Sequence, residues 1–416
     1  MNDIIQGDVL EELKKLPAES INCIVTSPPY WGLRDYGIDG QFGLEPTLDA
    51  YLEHMLMVTA ELMRVLRNDG VMFWNHGDCY GGIGHSDWVS KDPSHKGWSK
   101  NGKFQQNPDF KIKKLGLQDK CMALQHHRLI IRMIDDQGWI LRNVIIWHKP
   151  NHMPSSVKDR FSNSYEPVFM LTKSKRYWFD LDAVREPHQT PLHSSGRKET
   201  EQYGEDSGNR KRTLGIGDDR KWGTPLGKNP GDVWEAFQGN PPRFRIDKER
   251  WTHPSGANPG DLWKIPTQPF PEAHFATFPE RLVEPMIKAG CPKDVCKKCG
   301  KPRVRIVEQS GFRPTGHGDT PSSKLKLIGK ELKLSKSSSL LTRQYKNIYN
   351  KGWTDCGCNA GFTPGIVLDP FTGSGTTLIV ARKLLRSYLG IELNPKYVEM
   401  ANNRLSKIPR RLDVYV

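Results

Sequence analysis

The feature that most constrains the fold lies near the C-terminus, where two apolar runs flank a glycine-containing loop and a helix-like stretch. Residues 366–368 predict a buried strand, 369–375 a tight loop and 376–385 a helix. A second strand, predicted at 387–393, carries a carboxylate near its end, at Glu392. Strand, tight turn, helix and strand in this order form the repeating unit of α/β sheets. The chain is therefore predicted to contain an α/β domain with a mostly parallel sheet.

The first 180 residues alternate in the same way between short apolar runs and amphipathic stretches. The pattern predicts helices at 9–16, 51–66 and 122–134, and strands at 21–26, 71–75, 139–147 and 167–172. A further helix is predicted at 278–289. Because single cores stop growing at roughly 250–300 residues, a chain of 416 residues is expected to carry insertions on one core.

Two irregular segments interrupt the predicted core. The first is rich in Arg, Lys, Gly, Pro and Ser, and the second in Cys and Lys. The predicted parts are the N-terminal core at 1–180, a basic insertion at 181–257, a return to the core at 258–290, a Cys- and Lys-rich insertion at 291–361, and the C-terminal core at 362–416. The basic insertion is open to two interpretations, a solvated irregular segment or a surface that contacts nucleic acid.

The charge balance favours a polyanionic partner. The 61 Lys and Arg residues exceed the 47 Asp and Glu residues, which gives a net charge of +14. Each phosphate that binds a cationic side chain releases counterions, so nucleic acid is the natural candidate, although a basic surface also serves solubility.

No apolar run approaches the roughly 20 residues of a membrane span, and the N-terminus lacks a secretory pattern. We expect a cytoplasmic protein with no membrane partner.

The loop at 369–375 and the carboxylate that follows it suggest a nucleoside ligand. Gly373 and Gly375 allow the backbone to approach a ligand closely, and Glu392 can accept hydrogen bonds from both hydroxyls of a ribose. The loop lacks the third spaced glycine and the Gly-Lys-Ser/Thr element that pyrophosphate ligands require. By itself, however, a Gly-x-Gly sequence is also typical of an ordinary tight turn.

A second polar element, Ser27-Pro28-Pro29-Tyr30, directly follows the predicted strand at 21–26, where α/β sheets place ligand-binding residues. The Ser27 hydroxyl and the Pro28 carbonyl can accept the hydrogens of an exocyclic amine, which favours its pyramidal, nucleophilic form. The prolines stiffen this backbone, and Tyr30 can stack on a base that has left the duplex. A Pro-Pro pair alone would be typical of a plain strand exit.

Taken together, the two elements identify a family. The sequence Asp-Pro-Phe-x-Gly-x-Gly-Thr-Thr at 369–377 resembles the S-adenosylmethionine motif of the exocyclic-amino DNA methyltransferases, and Thr-Ser-Pro-Pro-Tyr-Trp at 26–31 resembles their catalytic motif. The catalytic motif comes first and the cofactor motif last, which is similar to the permuted β class of that family. The resemblance implies a Rossmann-like methyltransferase fold, double-stranded DNA as substrate, base flipping and a homodimer.

The resemblance also implies roles for particular residues. The catalytic residues would be Ser27, Pro28, Pro29 and Tyr30. Cofactor contacts would come from Asp8 beside the adenine, from Glu392 at the ribose, from Thr277, Phe278 and Pro279 beside the methionine moiety, and from Asp369, Phe371, Gly373, Gly375 and Thr376 in the loop.

The first residue of the catalytic motif bears on the target base. In the family that the chain resembles, Asp or Asn at this position usually accompanies adenine and Ser usually accompanies N4 of cytosine. Ser27 therefore favours N4-cytosine methylation, with N6-adenine methylation as the alternative. Carbon-5 methylation needs a thiolate nucleophile. The family of enzymes that performs it carries this thiolate in a Pro-Cys dipeptide, and the chain has none. A rival from another class is a catalytically idle nucleic-acid-binding protein, against which the intact motifs argue.

Four cysteines in two close pairs indicate a metal site in the second insertion. Cys296 and Cys299 form a CxxC pair, and Cys356 and Cys358 form a CxC pair. Four thiolates match a closed tetrahedral structural zinc site, as in a zinc ribbon. Cys291 or His317 could replace one ligand, and free thiols in a surface insertion are the alternative.

Overall fold

The computed structural model describes residues 2–81, 117–152, 157, 159–185, 262–267, 278–309, 313–314, 344–345 and 348–409. Thr277 and His317 lie outside these residues, as does all of the predicted basic insertion except 181–185.

The elements follow one another along the chain in the α/β manner. The described strands are β1 (Asn2–Gln6), β2 (Ile21–Thr26), β3 (Leu66–Asn75), β4 (Ile140–His148), β5 (Tyr165–Thr172), β6 (Leu262–Lys264), β7 (Val295–Cys296), β8 (Arg305–Gln309), β9 (Arg313–Pro314), β10 (Gln344–Tyr345), β11 (Ile348–Trp353), β12 (Phe362–Thr363), β13 (Ile366–Asp369) and β14 (Ser387–Glu392). The described helices are α1 (Val9–Lys15), α2 (Leu48–Val65), α3 (Gln125–Gln137), α4 (Glu280–Gly290), α5 (Thr376–Lys383) and α6 (Pro395–Ser406).

Within the described part of the chain, eight strands form one sheet in the order β1-β14-β13-β2-β3-β5-β4-β6. Neighbours are parallel except at β5, which runs antiparallel to both β3 and β4. The C-terminal strands β13 and β14 lie between β1 and β2, so the last part of the chain completes the middle of the sheet. This arrangement confirms the predicted Rossmann-like α/β fold.

Helices cover both faces of this sheet. Alternate residues of β3 point to opposite faces, because side chains alternate along a strand: Met72 and Trp74 join the apolar cluster under α1, α2 and α3, whereas Val71 and Phe73 join the cluster under α4 and α5. Both clusters are almost fully buried, and the sheet is therefore the middle layer of three. None of the described helices is long and apolar enough to cross a membrane.

Two helices have boundaries that differ from the predicted ones, and each difference has a local reason. The helix predicted at 51–66 begins earlier, because the Thr47 hydroxyl accepts the Ala50 N–H at 3.1 Å and caps α2. Leu66 is fully buried and pairs with Ile21, so it belongs to β3 and not to the helix. The helix predicted at 122–134 is displaced toward the C-terminus and ends at Gln137, where Gly138, with a φ of 79°, caps α3.

Among the elements that the sequence did not predict are β1 and α6. β1 has only two apolar residues, and it forms because its backbone pairs in parallel with β14. α6 begins with a recognisable signal, since the Asn394 side chain accepts the Lys396 N–H at 3.0 Å and a proline follows the cap. Its buried residues Tyr397, Ala401 and Leu405 recur every four positions.

A smaller module of short strands follows α4. β7 pairs with β12 and β8 pairs with β11, each antiparallel. The Trp178 indole N–H donates to the Arg303 carbonyl at 2.9 Å, and Arg305 pairs with Asp180 at 2.7 Å. These contacts attach the module to the segment that follows β5.

Candidate active site

A cavity of about 400 Å³ opens at the carboxyl edge of the sheet. Parallel strands end there, and the residues that follow β1, β2, β13 and β14 line it, as α/β topology predicts. Because β5 is antiparallel, its amino end reaches the same edge and brings Glu166 into the cavity wall. The volume is in the range of small-molecule sites.

Hydrogen bonds from buried residues hold the motif after β2, residues 27–31, in place. Trp31 is completely buried, its backbone N–H donates to Gln125 at 2.9 Å, and its indole N–H donates to the Glu45 carbonyl at 2.8 Å. The Tyr51 hydroxyl donates to the Pro29 carbonyl at 2.9 Å. These bonds hold the motif on both sides of Tyr30.

The ring of Tyr30 rests on a buried histidine. Its centroid lies 5.1 Å from that of His76, with 22° between the planes. The Trp74 indole N–H donates to His76 Nδ1 at 3.2 Å, so Nε2 carries the imidazole proton and faces the Tyr51 hydroxyl at 3.1 Å. Burial, with His126 nearby, lowers the pKa of His76 to about 3, so this ring is neutral at physiological pH. One face of Tyr30 is therefore occupied by protein.

The hydroxyl of Tyr30 is the middle of a row of hydrogen-bonded side chains, Ser27, Tyr30 and Glu166. It lies 3.1 Å from Ser27 Oγ and donates to Glu166 Oε2 at 3.3 Å. The other oxygen of Glu166 accepts from Lys149, whose ammonium also lies 4.4 Å from the centre of the Trp147 ring. Burial, followed by the charge of Glu166, raises the pKa of Tyr30 well above 10, so the phenol keeps its proton.

Glu392 supports the glycine loop and lines the cavity. One of its oxygens accepts the Gly373 N–H at 2.7 Å, and the other accepts the Asn394 N–H at 2.8 Å. Burial raises the pKa of this carboxyl above its usual value. Since a carboxylate oxygen has two lone pairs, each can accept a further hydrogen bond from a ribose hydroxyl.

Asp8 and the aromatic residues complete the half of the cavity at β1, β13 and β14. Asp8 caps α1 through one oxygen, which accepts from Leu10 N at 2.9 Å. Phe371 makes an edge contact with Phe42 at 6.1 Å, and Phe278 lies on the same wall. Acidic groups for the hydroxyls and amine, together with apolar walls, fit S-adenosylmethionine, which supplies an electrophilic methyl group on a sulfonium.

The structure brings most of the predicted residues together. The cavity is lined by the predicted residues Ser27, Pro28, Pro29, Tyr30, Asp8, Phe278, Phe371, Gly373 and Glu392. The predicted residues Pro279, Asp369, Gly375 and Thr376 lie outside the lining. Pro279 precedes α4, Gly375 and Thr376 begin α5, and Asp369 lies beneath the loop, where it accepts from Thr26 Oγ1 at 2.7 Å and Phe371 N at 3.2 Å.

Sequence reasoning had assigned no role in the site to several residues of the lining, among them Asn75, Trp147, Lys149, Glu166 and Tyr397. Each of the first four lies at the cavity end of β3, β4 or β5, or just beyond it. Their position at a strand end was therefore the available signal, but an antiparallel β5 could not be foreseen from its apolar run alone.

Asp369 gives a prediction about stability. Burial raises its pKa from 3.8 to about 6. The contribution of this carboxyl to the free energy of unfolding is therefore present in full below pH 4 and is lost as the pH rises through 6. Asp369→Asn does not titrate. We expect the free energy of unfolding of the native protein, relative to that of the variant, to fall by about 2 kcal/mol between pH 4 and pH 7. Urea unfolding at several pH values measures this difference.

The exposed Asp136→Asn is the matched control, because its carboxylate forms a surface pair with Arg132 on α3. Its difference from the native protein should stay nearly constant over this range. A constant difference for Asp369→Asn as well would contradict the raised pKa.

The four paired cysteines meet in space. The sulfur atoms of Cys296, Cys299, Cys356 and Cys358 all lie within 4.8 Å of one another. A zinc ion about 2.3 Å from each sulfur would place the sulfurs about 3.8 Å apart, which is compatible with sulfur atoms that all lie within 4.8 Å of one another. Cys291, considered as a substitute ligand, is instead fully buried in the core, where burial raises its pKa to about 12. The cluster is compatible with a structural zinc ion.

Comparison with known proteins gives the family. A family model described as DNA methylase, of the N6/N4 type, matches residues 21–296 and 360–403. The type II methyltransferase M.Cfr9I of Citrobacter freundii is 32% identical over 404 residues, which cover 97% of this chain and 87% of the relative. M.SmaI of Serratia marcescens is 28% identical over 97% of this chain and 90% of its own length.

Among solved structures, the cytosine-N4-specific PvuII DNA methyltransferase aligns with this chain over 99% of this chain's length and 89% of the other chain's length. The sequence identity is 16% and the TM-score is 0.49, and a likeness this distant adds nothing to the assignment. The family model and the relative above 30% identity both span most of the chain. This chain therefore belongs to the N6/N4 DNA methylase family.

Proposed function

We propose that this DNA methyltransferase transfers the methyl group of S-adenosylmethionine to N4 of cytosine in duplex DNA. The observation that carries the proposal is Ser27 in the cavity wall, at the first position of a Ser-Pro-Pro-Tyr element that other residues hold in place. The cofactor half of the cavity lies beside it, with Glu392 and Phe371. The relatives are named type II methyltransferases, which supports action at a specific DNA site.

The chemistry asks the protein to make a poor nucleophile reactive. The lone pair of an exocyclic amine is delocalised into the base, so the nitrogen must become pyramidal before it attacks. Ser27 Oγ and the Pro28 carbonyl would accept the two amine hydrogens and stabilise the positive charge that develops on nitrogen. Transfer is a direct in-line displacement with no covalent enzyme–base intermediate.

Tyr30 has a face for the base and a face for the protein. His76 occupies one face, and we propose that the extruded cytosine stacks on the other. Any side chain at Gly77 would intrude here, since a Cβ would lie 2.6 Å from the Tyr30 ring. The ring is thus fixed in place before substrate arrives, which lowers the entropic cost of ordering the base.

The product identifies the target base. Duplex DNA is incubated with the enzyme and with S-adenosylmethionine that carries a trideuterated methyl group, digested to nucleosides and analysed by mass spectrometry. We expect trideuterated N4-methylcytosine, and reactions without the cofactor control for methylation already present in the DNA.

Trideuterated N6-methyladenine would overturn the choice of cytosine while keeping the reaction class. If no labelled nucleoside forms although the protein binds DNA and S-adenosylmethionine, the result favours the alternative function, a catalytically inactive DNA-binding protein.

We further propose that Cys296, Cys299, Cys356 and Cys358 hold a structural zinc ion. Four thiolates leave no open coordination position, and amine methylation needs no activated water. The proposed role is to close the second insertion where it leaves and rejoins the core, beside the β7–β12 pair.

A further inference from the structure

Ser27 presents a chemical problem that a carboxylate at the same position would not. An ionised carboxyl group only accepts hydrogen bonds, whereas a hydroxyl can donate as well as accept. If the Ser27 proton pointed at the amine, it would compete with the amine hydrogens and hinder pyramidalisation. The site must therefore direct this proton elsewhere.

The structure provides an acceptor for the Ser27 proton, the hydroxyl oxygen of Tyr30. Glu166 is the carboxylate partner of an ion pair with Lys149, and its two oxygens accept hydrogen bonds from the Lys149 ammonium and from the Tyr30 hydroxyl. The Tyr30 hydroxyl donates its single proton to Glu166 Oε2, 3.3 Å away. Toward Ser27, 3.1 Å away, the Tyr30 oxygen can then only accept.

The direction of every bond in this row follows from the carboxylate at its end. The Ser27 hydroxyl donates to Tyr30, and the lone pairs of Ser27 Oγ remain available on the cavity side, where Ser27 and Glu166 both line the wall. Burial supports this order, since it raises the pKa of Tyr30 and so keeps the phenol protonated.

We infer that Glu166 is a positioning residue for methyl transfer: through Tyr30 it orients the Ser27 hydroxyl as an acceptor of the amine, and it receives the proton that the methylated amine releases. This inference rests on the proposed function, because it assigns the amine to Ser27. In this proposal Glu166 acts across two hydrogen bonds, from Tyr30 to Glu166 and from Ser27 to Tyr30, and not through a direct contact with the base.

The proton balance closes along the same row. The nitrogen lone pair forms the N–C bond as the S–C bond breaks, and the sulfur keeps that electron pair. The methylated nitrogen then loses one proton to Ser27 Oγ, while the original Ser27 proton passes to Tyr30 and the Tyr30 proton passes to Glu166. Glu166 gains one proton in total and later returns it to solvent.

The test replaces the carboxylate with a group of the same size that can donate. In Glu166→Gln the amide NH₂ can donate to Tyr30, which would reverse the row and turn the Ser27 proton toward the amine. We expect kcat to fall on the order of 10²-fold, with little change in the KM for S-adenosylmethionine or in the melting temperature. Glu166→Asp, which only accepts, should recover part of the loss.

Tyr30→Phe tests the middle of the row, because it keeps the ring and removes the hydroxyl. If both residues act through one row, the double variant Tyr30→Phe/Glu166→Gln should be about as slow as the slower single variant, and not slower by the product of the two effects. Glu53→Gln is the matched control, since Glu53 forms a surface ion pair with Arg132 at 2.7 Å, and its kcat should equal that of the native enzyme.

The outcomes separate the inference from the function on which it rests. An active native enzyme whose kcat survives Glu166→Gln, or a double variant with multiplied losses, overturns the role of Glu166 alone. A native enzyme that forms no labelled methylated nucleoside overturns the proposed function first. A loss that Glu166→Asp does not recover, accompanied by a lower melting temperature, assigns Glu166 a structural role and also overturns the inference.

Discussion

Replacement of Ser27, Pro28, Pro29 and Tyr30 by alanine is expected to abolish methyl transfer while S-adenosylmethionine still binds. The four residues line the part of the cavity that we propose receives the base, whereas the proposed cofactor side is built on β1, β13 and β14. The variant loses the proposed amine acceptor, the rigid backbone and the proposed stacking ring together. Transfer of labelled methyl groups to DNA measures the loss, and calorimetric titration with the cofactor checks that the fold survives.

The single variant Ser27→Ala refines this result. Loss of one preorganised hydrogen-bonding group in an active site costs about 10²–10³ in kcat. Ser20→Ala is its control at the opposite end of β2, since the exposed Ser20 hydroxyl donates only to the Pro17 carbonyl at 2.7 Å. Methyl transfer that persists in the four-alanine variant would contradict the catalytic assignment of this element.

Loss of zinc is expected to have the largest effect on stability. Structural zinc sites contribute apparent binding free energies on the order of 10 kcal/mol, and this free energy is coupled to folding. The native protein should contain one zinc ion per chain by elemental analysis, and Cys299→Ser should lower both the zinc content and the melting temperature. Because β12 leads directly into β13, the loosening should reach the strand that precedes the cofactor loop.

Cys121→Ser is the matched control for zinc, since Cys121 is exposed and lies outside the cluster. It should keep both zinc and melting temperature. Native protein that takes up no zinc when refolded with the metal, or Cys299→Ser protein with a full zinc content, would argue for four free thiols instead.

The sequence predicted those parts of the site that adjoin strongly patterned strands. The run at 366–368 and the loop after it identified Gly373 and Glu392, and the strand at 21–26 identified Ser27 and Tyr30, because buried parallel strands have a clear apolar signature. The placement of these four residues around one cavity agrees with that reasoning.

What the sequence could not provide is contact between distant segments. Glu166 follows an unremarkable tyrosine at the start of β5, and its meeting with Tyr30, 136 residues earlier, depends on β5 running antiparallel. His76 is similar, since a lone histidine after a strand carries no signal that its ring will support Tyr30. Strand direction is set by tertiary packing and not by local propensity.

The hydrogen bond from Thr26 to Asp369, 2.7 Å long and fully buried, has a consequence for reaction distance. It joins the last residue of β2 to the last residue of β13, the two adjacent strands from which the base side and the cofactor side of the cavity extend. A slip of one residue between these strands would displace one side by about 3.3 Å, and misplacement of reacting atoms by about 1 Å can cost 10²-fold in rate. In the proposed reaction, the spacing between methyl donor and acceptor is therefore set by the register of two strands whose bonded residues are 343 positions apart in the sequence.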